Sequence, residues 1–357
     1  MAEAIDSILN SSILVHNNKP SLTVSGYVDV YYGYYTDSVG TGKYQKFLAI
    51  SPRSNSFGVN IAQATENFTS DRIRSTATLQ FGDLPTAAWS PVFNYIQEAN
   101  VGIRLAKNLW VDGGFFKTHI GTESLLPKDN ITSSVSVITF YEPWWQAGAR
   151  LVYTNNDNKF YGAFYVVNGY NQFVATNNKK AFGLALSYNF SDYFSIGYYN
   201  FLSDDTPDSI TTSHWRFLNN LVFNISIGKK LKIIAGADYI AQQKSELSNS
   251  SGTAVVYSCI LTVKYQFAKK FGVYGRYEEY NDKNGILSGA FLDASNALEG
   301  YQIQGGTLGI EYKPIENSYV RLEGRILNSL NNLYPFYTDG NYVTNREEVM
   351  LNMGVWF

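Results

Sequence analysis

The sequence is poor in charge. Only 16% of its 357 residues are Asp, Glu, Lys or Arg, against about 25% in an ordinary soluble domain. The 28 basic and 30 acidic residues leave a net charge of −2, which argues against nucleic acid as a partner. A single cysteine, Cys259, excludes a disulfide framework within the chain and a cysteine-based zinc or iron–sulfur site. The three histidines, His16, His119 and His214, are too scattered for a histidine metal centre. No apolar run approaches the roughly 20 residues of a membrane-spanning helix. Met1–Asp6 lacks the basic start and apolar core of a signal peptide, which fits a cytosolic chain or one matured by processing. No convincing amphipathic helix is found beyond Ala2–Leu9, and that excludes an α/β enzyme.

What is present is a mixture of aromatic and uncharged polar residues. Aromatics make up 16% of the chain, 28 of them tyrosine, and the mean hydropathy is −0.18. So many aromatics exclude a disordered chain.

Alternation of apolar and polar residues, bounded by turn residues, marks strands. They are expected near 21–35, 56–67, 71–82, 94–106, 109–119, 144–154, 159–168 and 180–190. Eight more are expected near 193–202, 213–228, 231–242, 253–267, 270–281, 300–313, 318–328 and 345–357. The total is about sixteen, an even number. Connections after the even-numbered strands are short, such as Lys107-Asn108, Ser191-Asp192 and Lys229-Lys230. Those after the odd-numbered strands run to about ten to twenty-four residues. Seven short and eight long connections alternate without exception. Two classes of loop at two ends of a closed sheet are what an outer-membrane barrel has, with short periplasmic turns and long external loops. A propeller would show a repeat of about 40 residues, and none is found.

The polar face of the strands collects Arg72, Arg74, Glu98, Arg104, Asp112, Arg150, Arg216, Lys264, Arg276, Glu278, Glu311, Arg321, Glu323, Arg325 and Glu348. Both signs are mixed, which suits a water-filled lumen. The other face carries Val, Ile, Leu, Phe and Tyr for lipid, Cys259 among them. Aromatics near strand ends (Tyr31–Tyr35, Trp144-Trp145, Tyr198-Tyr199, Trp215–Phe217 and Trp356-Phe357) are expected to form interfacial girdles. Val349, Leu351, Met353, Val355 and Phe357 alternate to the chain end. An amphipathic last strand ending in Phe resembles the terminal signal that the barrel-insertion machinery reads.

The connection His119–Pro143 is the longest, and it is too apolar to lie wholly in water. Loops of this length are usually functional. It is expected to fold into the lumen as a constriction. Its polar groups Glu123, Lys128, Asp129 and Glu142 would then face wall residues Arg72, Arg74, Arg104 and Arg150. Opposed charges across a narrow opening set a transverse field that filters solutes. The alternative is a loop that caps the outside or packs on a neighbouring subunit.

The stretch Glu98–Tyr153 resembles the OmpL-like β-barrel porin family of Gram-negative bacteria. The similar elements are Gly121-x-Glu123, Asn130–Ser134 (N-I-T-S-S), Glu142-Pro143 and Gly148-x-Arg150. The opening "KPSLTVSGYVDVYYGYY" is similar to the first strand of such barrels. The resemblance implies an outer-membrane porin with no catalytic residues and no cofactor, and says little about substrate.

The fold expected is therefore all-β: a transmembrane antiparallel barrel over 21–357, preceded by a periplasmic tail over 1–20. The leading function is passive diffusion of small hydrophilic solutes and ions. Tyr27, Tyr31, Phe116, Tyr199 and Tyr274 on the polar face would favour sugars, if they do not simply fill space. The other reading is a structural or partner-binding barrel with a loop-filled pore. An enzyme is disfavoured, because Ser213 beside His214 and Thr118 beside His119 point to opposite faces of a strand. Asp204, Asp205 and Asp208 could hold calcium but fit solvated loop carboxylates better. The expected partners are the lipid bilayer, lipopolysaccharide and the insertion machinery at Phe357. A homotrimer or a partner protein is left open.

Overall fold

The computed structural model describes residues 19–37, 40, 42–47, 51–331 and 333–357. The expected tail, with His16 and Ala2–Leu9, lies outside these residues except for Lys19 and Pro20.

Twenty strands form among the described residues. They are β1 (Ser21–Tyr35), β2 (Ser56–Thr69), β3 (Ile73–Phe81), β4 (Ile96–Ala106), β5 (Leu109–Lys117), β6 (Trp145–Thr154), β7 (Phe160–Val167), β8 (Ala181–Ser191), β9 (Phe194–Ser203) and β10 (Arg216–Ile227). The rest are β11 (Leu231–Gln242), β12 (Ala254–Ala268), β13 (Phe271–Asn281), β14 (Phe291–Leu292), β15 (Leu298–Glu299), β16 (Gln302–Tyr312), β17 (Ser318–Ser329), β18 (Phe336–Thr338), β19 (Asn341–Val343) and β20 (Asn345–Trp356). Sixteen of them close one antiparallel barrel, each paired to its sequence neighbour, with β20 returning to β1. The pairs β14–β15 and β18–β19 are small hairpins inside long loops. Short helices at Asp83–Ala88 and Val137–Tyr141 also sit in loops.

The last strand shows why the barrel needs an apolar surround. Arg346, Glu348, Met350 and Asn352 point inward and are at most 3% exposed, whereas Val349, Leu351, Met353 and Val355 are 40–51% exposed on the outside. A row of exposed aliphatics around the whole barrel would be costly in water at about 25 cal/mol per Å²; against acyl chains it costs nothing. The seam between β20 and β1 is closed at its short-turn end by Phe357. The Phe357 amide donates to the Gly26 carbonyl at 3.1 Å. The Phe357 ring lies so close over Gly26 that a Cβ there would sit 2.6 Å from it.

The aromatic girdle differs from expectation. Trp144 and Trp145 are buried against Trp89 and Phe173 under external loops. Tyr31, Tyr35 and Tyr199 are buried inside. At the short-turn end, ring contacts instead link Tyr153 with Phe160, Tyr188 with Phe190, Phe267 with Phe271, and Phe271 with Tyr312. Alternation cannot distinguish a ring facing lipid from one that a distant loop covers.

Candidate functional site: the lumen and its third loop

The third long connection leaves β5 at Thr118 and returns to β6 through Trp144; most of it is buried in the barrel and none of it is exposed. Its path follows from local chemistry. Pro127 opens a tight turn over Pro127–Asp129. Asn130 folds back, its Oδ1 accepting from the Ser124 amide at 2.7 Å and its Nδ2 donating to the Ser124 carbonyl. Ser136 caps the helix Val137–Tyr141 by accepting from the Thr139 amide, a favoured role for serine. Pro143 follows the helix and cannot continue it.

The loop then crosses the lumen. His119 stacks on Tyr165 of β7 and bonds the Asn200 carbonyl of β9 at 2.9 Å. A carbonyl can only accept, so Nε2 donates to it, and Nδ1 lies 3.2 Å from Gln146 Oε1. Burial pushes the His119 pKa down to about 4. Thr122 sits over Gly236 of β11, where a Cβ would fall 1.9 Å from its hydroxyl; only glycine allows that approach. Beyond this point the loop is held by charge. Glu323 accepts from the Ser133 and Ser134 amides at 2.6 and 2.9 Å. Glu278 accepts from the Val137 amide at 2.7 Å. Arg321 donates to the carbonyls of Pro127, Asn130 and Thr132 at 2.8–3.0 Å. Arg276 pairs with Glu123 at 2.7 Å.

These anchors belong to one belt. Arg276, Glu278, Arg325, Glu348, Arg346 and Asp37 pair in sequence along the wall, and Lys264 and Arg321 share Glu311. Burying such charges is costly unless hydrogen bonds satisfy them, and here the loop backbone supplies the missing partners.

The sequence-predicted residues divide. Arg74 grips both oxygens of Asp112 at 2.7 Å, and Arg150 joins the same carboxylate at 2.8 Å. Their guanidinium groups lie over Trp110 and Phe116. Arg104 pairs with Asp71 at the short-turn rim. Arg72 does not lie in a strand: Ser70 and Ile73 close the turn around it, and it is exposed. Glu123 and Glu142 face β13 and β11, not the four arginines expected. Glu142 lies against Asp238, and burial together with that carboxylate raises its pKa. Lys128 stays 3.3 Å from Asp129 and lies over the Tyr27 ring. Asp129 is in turn within electrostatic reach of Lys117 on the wall.

Sequence reasoning missed Asp238. It alternates with Gly236 and Ile240, and that inward row is hardly more polar than Ala235, Ala237 and Tyr239 outside. It also missed an apolar plug in the outer half of the lumen. There Leu218, Ile240, Val256, Ile303 and Leu327 pack with Tyr280, Leu333 and Phe336, with Phe47 against them. The lumen tyrosines Tyr27, Tyr31, Tyr199 and Tyr274, with Phe116, are at most 6% exposed, so they fill space and present no stacking face.

Other chemistry finds little support. His214 Nδ1 is 3.2 Å from Ser245 Oγ, but that hydroxyl donates to the Gln243 carbonyl and accepts from Gln242. Asp204 pairs with Lys179, Asp205 with the Tyr170 amide and Asp208 with Asn178. No group of three metal-ligating side chains occurs among the described residues.

Residues 21–357 match the profile of a family described as "Putative beta-barrel porin-2, OmpL-like". No curated protein matches the chain. Among solved structures, an anion-selective porin from Comamonas acidovorans is 12% identical, with 95% of this chain and 100% of that one covered, at a TM-score of 0.66. The outer membrane channel DcaP of Acinetobacter baumannii is 10% identical over 96% and 99%, at 0.61. A trimer form of OmpT from Vibrio cholerae is 12% identical over 95% and 99%, at 0.59. At such identities the likeness is one of fold.

Proposed function

The chain belongs to the OmpL-like β-barrel porin family of the Gram-negative outer membrane, and on that premise we propose that its lumen is a narrow, loop-constricted path for passive diffusion of small hydrophilic solutes and ions. The path follows the β3–β6 wall. One observation carries this reading. The paired side chains of Arg104, Lys117 and Arg150 keep 21, 27 and 12% exposure, while Arg276, Arg321, Arg325 and Arg346 keep 0–3%. Water therefore reaches Lys117 and Arg150 on this wall, whereas the arginines that hold the loop are dry. Lys128 and Asp129 form the loop's edge of the constriction, and Arg74, Lys117 and Arg150 form the wall's edge. Cations predominate there, so the passage favours anions weakly.

A second reading is a barrel whose pore the loops fill. The apolar plug around Phe47 and Phe336 favours it. Single-channel recording across a salt gradient separates the two. Discrete steps with a small anion-directed reversal potential support diffusion. A folded barrel that never conducts supports the filled pore.

The same reading includes assembly as a trimer, checked by the heat-sensitive mobility of the native protein on gels. It also takes the Phe357 end as the mark for barrel insertion and the outer leaflet as lipopolysaccharide.

A further inference from the structure

One cavity adjoins the constriction at Lys128 and Asp129 and extends from there to β10–β12 and β17, away from the β3–β6 wall. It has a volume of about 90 Å³, beneath the third loop toward the short-turn end. Lys128, Lys232, Lys264, Lys313 and Arg321 line it, with Asp129 as the only carboxylate in the lining. Glu311 stands behind Lys264 and Arg321 and pairs with both. Counting it still leaves three cations in excess. Lys232 and Lys313 make no ion pair among the described residues; Lys313 lies 5.9 Å from the centre of the Trp356 ring. Asn224, 6% exposed, also borders the cavity and offers an amide donor.

Uncompensated lysines held in one concave space are unusual in a chain so poor in charge. Like charges repel, and their desolvation is offset only when an anion joins them. The rim adds to the effect. Lys229-Lys230 and Lys269-Lys270 occupy the turns between β10 and β11 and between β12 and β13, next to this cavity, and are exposed. A basic rim leading to a basic pocket concentrates anions. Lysine, a compact point charge with three donors, binds phosphate without demanding a fixed geometry. The volume accommodates several waters, or one tetrahedral oxyanion retaining part of its hydration.

We propose that this cavity is a periplasmic-side binding site for an oxyanion of the phosphate class, held by Lys232, Lys264, Lys313 and Arg321 with Asn224 as a neutral donor. Lys232 and Lys264 share the inward face with Asn224 and Thr262, so the ligand arrives from the lumen as a solute and not from the bilayer as a headgroup. The location of the path rests on the diffusion reading; the site itself does not.

The test uses the full-length barrel in a non-ionic detergent free of phospholipid, with inorganic phosphate as the probe. Amine labelling is followed residue by residue by mass spectrometry. Phosphate should slow labelling of Lys232 and Lys313 while Lys229 stays reactive, and chloride at equal ionic strength should not. Combining Lys264→Gln with Asn224→Ala should raise the half-protecting phosphate concentration about tenfold, the lower end of what a single-sign cleft confers. Equal protection by chloride, equal protection of Lys229, or protection only by an anionic phospholipid would overturn the site. In planar bilayers, phosphate added on the short-turn side should reduce chloride current more than phosphate on the other side. Protection without any current would refute the diffusion reading and leave the site standing. Current without protection would do the reverse.

Discussion

The two walls of this lumen are built from the same residue types and behave differently. On β13–β20, arginines and carboxylates form a dry belt that holds the third loop by its backbone. On β3–β6, Arg74, Asp112 and Arg150 form a smaller cluster that binds no loop backbone and meets water only at Arg150, whose side chain is 12% exposed. The comparison teaches that a lumen charge is not in itself a conduction charge. Its role is set by whether loop backbone groups complete its hydrogen bonds. In the belt, each carboxylate that meets the loop accepts from peptide N–H groups as well as from side chains. The charge is neutralised and committed to structure. In the cluster, Asp112 is shared by two arginines, which leaves net positive charge facing the path.

The contrast can be broken most severely at Glu278. Replacing Glu278 with Ala leaves Arg325 and the Val137 amide without their main partner and Arg276 with Glu123 alone, and breaking a buried pair costs about 3–5 kcal/mol. The loop should loosen, with faster proteolysis between Gly121 and Pro143 and a larger, noisier conductance. Arg150→Gln on the other wall should leave loop proteolysis unchanged and lower anion preference.

The inside–outside register comes next in size. Leu261→Arg, facing lipid, should impair assembly by about 2–4 kcal/mol, read as loss of heat-modifiable folded protein. Asn100→Arg, half-buried on the lumen face of β4, should assemble and alter conductance. Equal tolerance at both would sink the register.

Acidity should act on the loop from two directions. His119 has its pKa depressed to about 4 from an ordinary 6.5. The stability it brings is complete above 6.5 and is lost as the pH falls toward 4. Glu142 is shifted the opposite way, raised by burial and by Asp238 from an ordinary 4.5. Its contribution is complete below 4.5 and is lost as the pH rises through the raised value. Loop proteolysis measured against pH should therefore increase at both ends. Glu142→Gln should flatten only the alkaline limb, and His119→Gln only the acid limb.

The smallest effect is expected at Arg104. Its pair with Asp71 is half in water, and exposed pairs contribute at most about 1 kcal/mol. Arg104→Gln should leave folding unchanged and shift the reversal potential slightly toward cations.

Much of this was legible in the sequence. β11 and β20 need only their alternation and turns to be located, and the apolar length of 119–143 sufficed to send the loop inward. The loop's partners were not legible. Glu123 meets Arg276 across 153 residues of chain, and only closure of the barrel and the course of the loop decide that pairing. Arg72 failed for a local reason: alternation runs on through a turn that the Ser70 and Ile73 hydrogen bonds have already closed. Trp144 and Trp145 failed because a covered ring and a lipid-facing ring carry the same pattern.

The most direct test places a single thiol on each wall of a Cys259→Ser background, in recorded channels. Asn100→Cys reports the β4 wall, where Asn100 is half-buried, and Thr307→Cys reports the β16 wall, where Thr307 is 2% exposed. A charged, water-soluble thiol reagent should change the current through the first promptly and leave the second unaffected. Prompt modification at Thr307→Cys with none at Asn100→Cys would contradict the account, placing the path on the wall that we assign to holding the loop.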